Sequence, residues 1–244
     1  MAVSSVLTLH ELARKDLPSS PDDPAYATWV DSAVSASLQL INSLSSAALD
    51  PVWSKGKVHN GAQTYTIHSA TKPPPGAGET DGFKWHARKS THDASSDLSF
   101  EQFERGLLRD HSLNEAKYIE SCTDAKRLEV IKAGELEASN RDFAITILTV
   151  PVPAGSTPSL TRGRAFLIIS IPYAHPSAQG YTRGKYVSVE HVAEVPETGK
   201  IEWTMAVSSD PGGLVPKVIS EMSMPSKISE DVPSFVKWAK KEFA

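Results

Sequence analysis

Two short stretches carry side chains able to move protons or to hold negative charge. In FKWHARK, residues 83–89, His86 and Arg88 stand two apart, and in SIPYAHP, residues 170–176, Ser170, Tyr173 and His175 crowd the end of an apolar segment. An imidazole near neutrality serves as acid or base, and a guanidinium or phenol can stabilise a developing oxyanion. If the protein is an enzyme, His86, Arg88, Tyr173 and His175 are therefore its catalytic candidates. For a lone histidine on a strand the plain reading, a satisfied core hydrogen bond, weighs more, and side-chain hydrogen bonds closing a turn explain the Ser170, Tyr173 and His175 cluster equally well. Arg141–Asp142 and Arg183 stand at strand starts, where ion pairs that fix register are the ordinary use of such charges.

Other chemistry lacks its local mechanics. No CxxC, HExxH, GxxxxGKS or GxSxG occurs, and the GAG of PPPGAGETDG has no strand-then-helix setting for a dinucleotide. The eight histidines show no metal-ligand spacing, so neither a metal nor a cofactor is expected. A net charge of -4 gives no case for nucleic acid, which needs a basic face, and little for purely electrostatic docking on anionic lipid. One cysteine, Cys122, cannot form an internal disulfide; with no export signal in MAVSSVLTLHELARKDLPSS, the expected compartment is the cytoplasm.

The elements that must position these residues follow from periodicity. Residues 1–50 read as a helical extension, first through Leu7, Leu9, Leu12 and Ala13, then from Pro24 through Trp29, Ala33, Ala36, Leu40 and Leu44. Strands are expected at 63–69 and 83–89, the second with Phe83, Trp85 and Ala87 on one face and Lys84, His86 and Arg88 on the other. SFEQFERGLLRD reads as a helix with a polar residue placed to cap it and Glu101 in its first turn. Further strands are expected at 127–133, 142–150, 164–173, 182–192 and 200–207, and Ile201, Trp203, Met205 and Val207 give the last an apolar face. The loop 151–163 is too long for a tight hairpin. SSDPGGLVPKVISEM breaks the chain at Gly212–Gly213 and starts a helix at Pro216, with Ser229 or Asp231 placed to cap near Pro233. Ile228, Val232, Phe235, Val236, Ala239 and Phe243 then follow helical spacing. The order gives an α+β fold, and 244 residues suit a single domain.

Four of these segments together carry a family resemblance. Arg141-Asp142-Phe143, Ser170 with His175-Pro176, Gly180-Tyr181-Thr182-Arg183, and Asp210 through Pro216 occur in the order found in START domains, the steroidogenic-acute-regulatory-related lipid transfer fold. FKWHARKST resembles an early strand of the family and extends the match to residues 83–244. Thr182 in place of the usual valine, HSLNEAKYI without the family's Trp-Asp, and the long helical start are departures that resemble a divergent branch, the fungal START-like group of unassigned function.

The resemblance implies a helix-grip fold: a curved antiparallel sheet wrapped on a long C-terminal helix, with an apolar tunnel between them and the 151–163 loop near its mouth. It implies a single hydrophobic small molecule as partner, a lipid, sterol, terpenoid or polyketide, and transient membrane contact during transfer. The candidate wall residues are Trp85, Phe143, Ile145, Ile168, Ser170, Trp203, Met205, Met222, Phe235 and Ala239. A cyclase or isomerase acting in the same cavity is the second reading, and an interaction module with a filled tunnel the third.

Overall fold

The computed structural model describes residues 5–45, 51–119, 122, 141–152 and 163–244. Helix α1 (Pro24–Asn42) starts where the Asp23 carboxylate accepts the Ala25 amide at 2.9 Å, with Pro24 in the first turn. Strands β1 (Trp53–His59), β2 (Ala62–Ile67) and β3 (His86–Asp93) follow. Next come α2 (Phe100–Phe103), a π-turn over Glu104–Leu108, and α3 (His111–Tyr118). Strands β4 (Arg141–Asp142), β5 (Ile145–Val152), β6 (Ala165–Pro172), β7 (Thr182–Arg183), β8 (Lys185–Val195) and β9 (Lys200–Asp210) precede the C-terminal helix α4 (Lys217–Glu242).

Among the described residues, seven strands form one antiparallel sheet in the order β1-β2-β3-β9-β8-β6-β5, and β4 pairs with β7 in parallel. Both faces of the sheet are covered, which is why β6 is buried at every position. Leu167, Ile169, Val189 and Ala206 point to one side, where α1 contributes Ala33, Leu40 and Ile41. Phe166, Ile168, Val192 and Trp203 point to the other, where Phe103, Val232, Phe235 and Ala239 meet them. This is the helix-grip arrangement, with α4 held against the concave side.

Several expectations change. Residues 5–12 are not helical; Leu12 forms a bridge to Tyr173, with only a 3-10 turn at Arg14–Asp16 beyond it. Leu7 and Leu9 are fully buried, but in a bent, non-helical segment whose Thr8 amide donates to the Val6 carbonyl at 3.0 Å, so their apolar spacing marks packing on the core and not a helix. The cap of α2 is Ser99, in a capping box with Gln102 rather than Glu101. Helix α4 runs unbroken through Pro225 and Pro233, so neither Ser229 nor Asp231 caps a helix: the Ser229 hydroxyl donates to the Pro225 carbonyl at 2.7 Å. The strand expected at 127–133 and residues 153–162 of the long loop lie outside the described residues.

Before α4, Asp210 Oδ1 accepts the Gly212 amide at 2.8 Å, and Gly212 has φ +67°. A Cβ there would stand 2.0 Å from the Arg183 carbonyl oxygen, so glycine alone lets β9 turn beside β7 and hand over to Pro216 at the helix start.

Candidate functional site

Pairing register sets the floor of the site. Arg88 stands opposite Met205 and Met205 opposite Glu190, while His86 stands opposite Val207, Val207 opposite Ser188, and Ser188 opposite Ser170. Two adjacent rows across β3, β9, β8 and β6 thus face α4 with Met205, Val207 and Ile168 beside the polar Arg88, Glu190, Ser188 and Ser170, where the next row carries Trp203. That tryptophan packs with Phe103 at 5.8 Å and Phe235 at 5.3 Å between ring centroids and closes one end. Beyond it lies a cavity of about 240 Å³, roofed by Met224 of α4 and flanked by Phe143, Tyr186, Ile119 and Cys122.

The polar end of the cavity is a buried charge cluster. Glu190 Oε2 accepts the Trp203 indole N–H at 2.7 Å and lies 3.6 Å from Nη2 of Arg88. Arg88 donates from Nε to the Ile228 carbonyl at 2.5 Å and lays its guanidinium 4.0 Å over the Trp203 ring, so it locks α4 onto the sheet. Burial lowers its pKa, against the pull of Glu190 and Asp231. Asp231 is pushed up to about 7 by burial, partly countered by Arg88.

His111 reaches the same cluster from α3. A left-handed Asp110 starts that helix, and Asn114 Nδ2 donates to the Gly106 carbonyl at 3.1 Å and the Arg109 carbonyl at 2.9 Å, tying α3 to the π-turn. His111 Nδ1 pairs with the Leu107 carbonyl at 2.9 Å; Nε2 lies 3.4 Å from Glu115 and 3.7 Å from Glu190. Burial pushes the imidazole down, but the two carboxylates and the carbonyl outweigh it and raise the pKa to about 10.

Of the residues expected at the site, Phe143, Ser170 and Met205 line the cavity. Ile145, Ile168, Trp203, Phe235 and Ala239 belong to the packed core next to it. Two expectations are corrected. Trp85 points to the opposite face of the sheet, into the core under α1, because β3 alternates. Met222 is 78% exposed, off the apolar stripe of α4; the stripe's own spacing, carried four residues back from Ile228, lands on Met224.

The four catalytic candidates are not brought together. His86 bonds Thr66 at 3.1 Å and Glu221 at 3.2 Å, and Arg88 serves the buried cluster. Tyr173 is buried with Leu17 and Ala144, and His175 is exposed, its carbonyl accepting Arg183 Nη1 at 2.8 Å. Arg183 also pairs with Asp142 at 2.6 Å, the structural ion pair that strand-start charges suggest. A Ser90–His92–Asp97 chain, with bonds of 2.9 and 2.7 Å, has the types of a nucleophile, base and orienting acid. It packs under Phe103 and Trp203, and its three residues do not line the cavity.

His111, Glu115 and Glu190 escaped sequence reasoning. The available signals were the i,i+4 spacing of His111 and Glu115 and the alternation of Tyr186, Ser188 and Glu190 along β8. No spacing links the two elements.

The architecture is that of the START domain. Human StAR-related lipid transfer protein 5 superposes with a TM-score of 0.64 at 13% identity, covering 89% of this chain and 99% of that one. Human STARD10 gives 0.62 at 11% identity, over 83% and 78%. A STAR-related lipid transfer protein fragment from Xanthomonas axonopodis gives 0.54 at 12% identity, over 77% and 98%. At such identities the likeness is one of fold. No curated protein sequence matches the chain significantly. Within this fold, the chain belongs to the family described as protein of unknown function (DUF3074), whose model matches residues 85–239.

Proposed function

We propose that the protein binds one hydrophobic small molecule between α4 and the sheet and transfers or presents it. The observation that carries this reading is the cavity itself, with apolar walls at Phe143, Met205, Val207 and Met224 and charge confined to the Glu190 end. Such a site takes an amphipathic ligand, its apolar body gaining about 25 cal/mol per Å² buried and its polar head oriented by few groups. At about 240 Å³ the space is below the ~300–1,000 Å³ usual for small-molecule pockets. The ligand is therefore compact, or α4 shifts to admit a longer one. The names of the structural neighbours, lipid transfer proteins, support the same direction.

Leu214 in the turn before α4, with Val218, Ile219 and Met222 in its first turns, forms an exposed apolar stripe ending two residues before Met224 of the cavity roof. We assign this stripe to transient contact with a lipid surface, so that helix opening and ligand exit occur against the membrane. The test is loading and transfer. The full chain is incubated with donor vesicles carrying fluorescent fatty acid or sterol, and transfer to acceptor vesicles is followed. Saturable one-to-one uptake supports the reading, and no uptake from a broad lipid panel contradicts it. No particular observation favours a cyclase, because His86, Arg88, Tyr173 and His175 do not share the cavity.

A further inference from the structure

We propose that His111, Glu115 and Glu190 form a binding site for a divalent first-row transition metal ion, zinc foremost, at the polar end of the cavity. His111 Nε2 lies 3.4 Å from Glu115 Oε1 and 3.7 Å from Glu190 Oε1, and one ligand atom from each residue falls within 4.8 Å of the others. Two donors each bonded at about 2.1 Å to a tetrahedral zinc stand roughly 3.4 Å apart. Both pairs that include His111 are thus near the separation an ion requires, and side-chain rotation of Glu115, the less buried carboxylate, can bring the third pair, already within 4.8 Å, to it.

Orientation is already supplied. The Leu107 carbonyl takes the Nδ1–H of His111 and so turns the Nε2 lone pair toward the carboxylates. Trp203 and Arg88 both engage Oε2 of Glu190, which leaves Oε1 for the ion. Outer hydrogen bonds of this kind fix the ligands of metal sites. Asp231 adds a further acidic group near Glu115 and Glu190, while Arg88 is the permanent cation beside them.

One imidazole and two carboxylates suit zinc, manganese or ferrous iron and disfavour soft cuprous copper. Three protein donors, all on the cavity wall, leave a coordination position facing the cavity, the pattern of a reactive or ligand-holding site rather than a closed structural one. That position takes water or an oxygen of a carboxylate or hydroxyl head. The site rests on these three residues and does not require the carrier reading.

The test uses the full chain stripped with EDTA, titrated with zinc chloride by calorimetry and with cobalt(II) by visible absorption. One ion per chain is expected, with a cobalt d–d band of low-coordination geometry. Glu115→Gln, at a side chain 23% exposed and outside the Arg88–Glu190 contact, weakens binding at least tenfold, and His111→Gln abolishes the band. Circular dichroism verifies that each variant is folded. If His111→Gln does not fold, Glu115→Gln decides alone. A native chain that binds no ion overturns the proposal, as does binding that Glu115→Gln leaves unchanged, the result surface histidines would give. Lipid uptake is measured separately, so either reading can fail without the other.

Discussion

Arg88 shows what one buried charge does here. It is 1% exposed, and its partners are Glu190, the Ile228 carbonyl and the Trp203 ring. Glu190→Leu removes its nearest carboxylate and is expected to cost about 3–5 kcal/mol in urea unfolding, whereas Arg88→Met with Glu190→Leu recovers part of that loss, the Trp203 indole and His111 still lacking Glu190. His92 gives a pH signature. Burial holds its pKa below 6.5, against Asp97 and with Arg88 and Lys240 acting in the same sense as burial. Since the unfolded chain binds the proton more readily, the contribution of His92 is complete above about pH 6.5 and is lost as pH falls through the lower folded value. The stability advantage of the native chain over His92→Gln should therefore shrink between pH 7 and pH 5. An advantage that grows on acidification contradicts a neutral buried imidazole.

Among the elements, the turn before α4 and the helix itself position the site. Gly212→Ala forces a left-handed alanine and a clash with the Arg183 carbonyl, with an expected loss of at least about 1–2 kcal/mol in thermal or urea unfolding. The exposed stripe predicts the opposite pattern: Val218→Ser with Met222→Ser should leave stability nearly unchanged and reduce vesicle binding severalfold in a sedimentation assay. Retained vesicle binding would remove the stripe from the account. Much of this was legible, because β6 is a continuous apolar run, β9 alternates, and Asp210 through Pro216 spell a turn. Strand β1 was not, since WSKGKVH is exposed at the sheet edge and shows no apolar alternation. Pro233 also pointed to a helix start, but a 26-residue helix packed on the sheet by Ile228, Val232 and Phe235 tolerates it, and Pro225 as well.

At the scale of the molecule, the sheet works as a partition. Its α1 side is a filled core, and its α4 side is filled at Trp203 and left open beyond Met205. Order of motifs along the chain was enough to suggest this grip, whereas the cavity's polar end was hidden because Glu190 and His111 meet only through folding. Met205→Trp should fill the space, leave the fold intact and lower lipid uptake at least tenfold in the vesicle assay. The most direct measurement is native mass spectrometry of the purified full chain, followed by organic extraction and identification of what is released. The account predicts one apolar molecule per chain, lost in Met205→Trp. A clean ligand-free mass that persists after incubation with fatty acids, sterols, phospholipids and aromatic polyketides would contradict it.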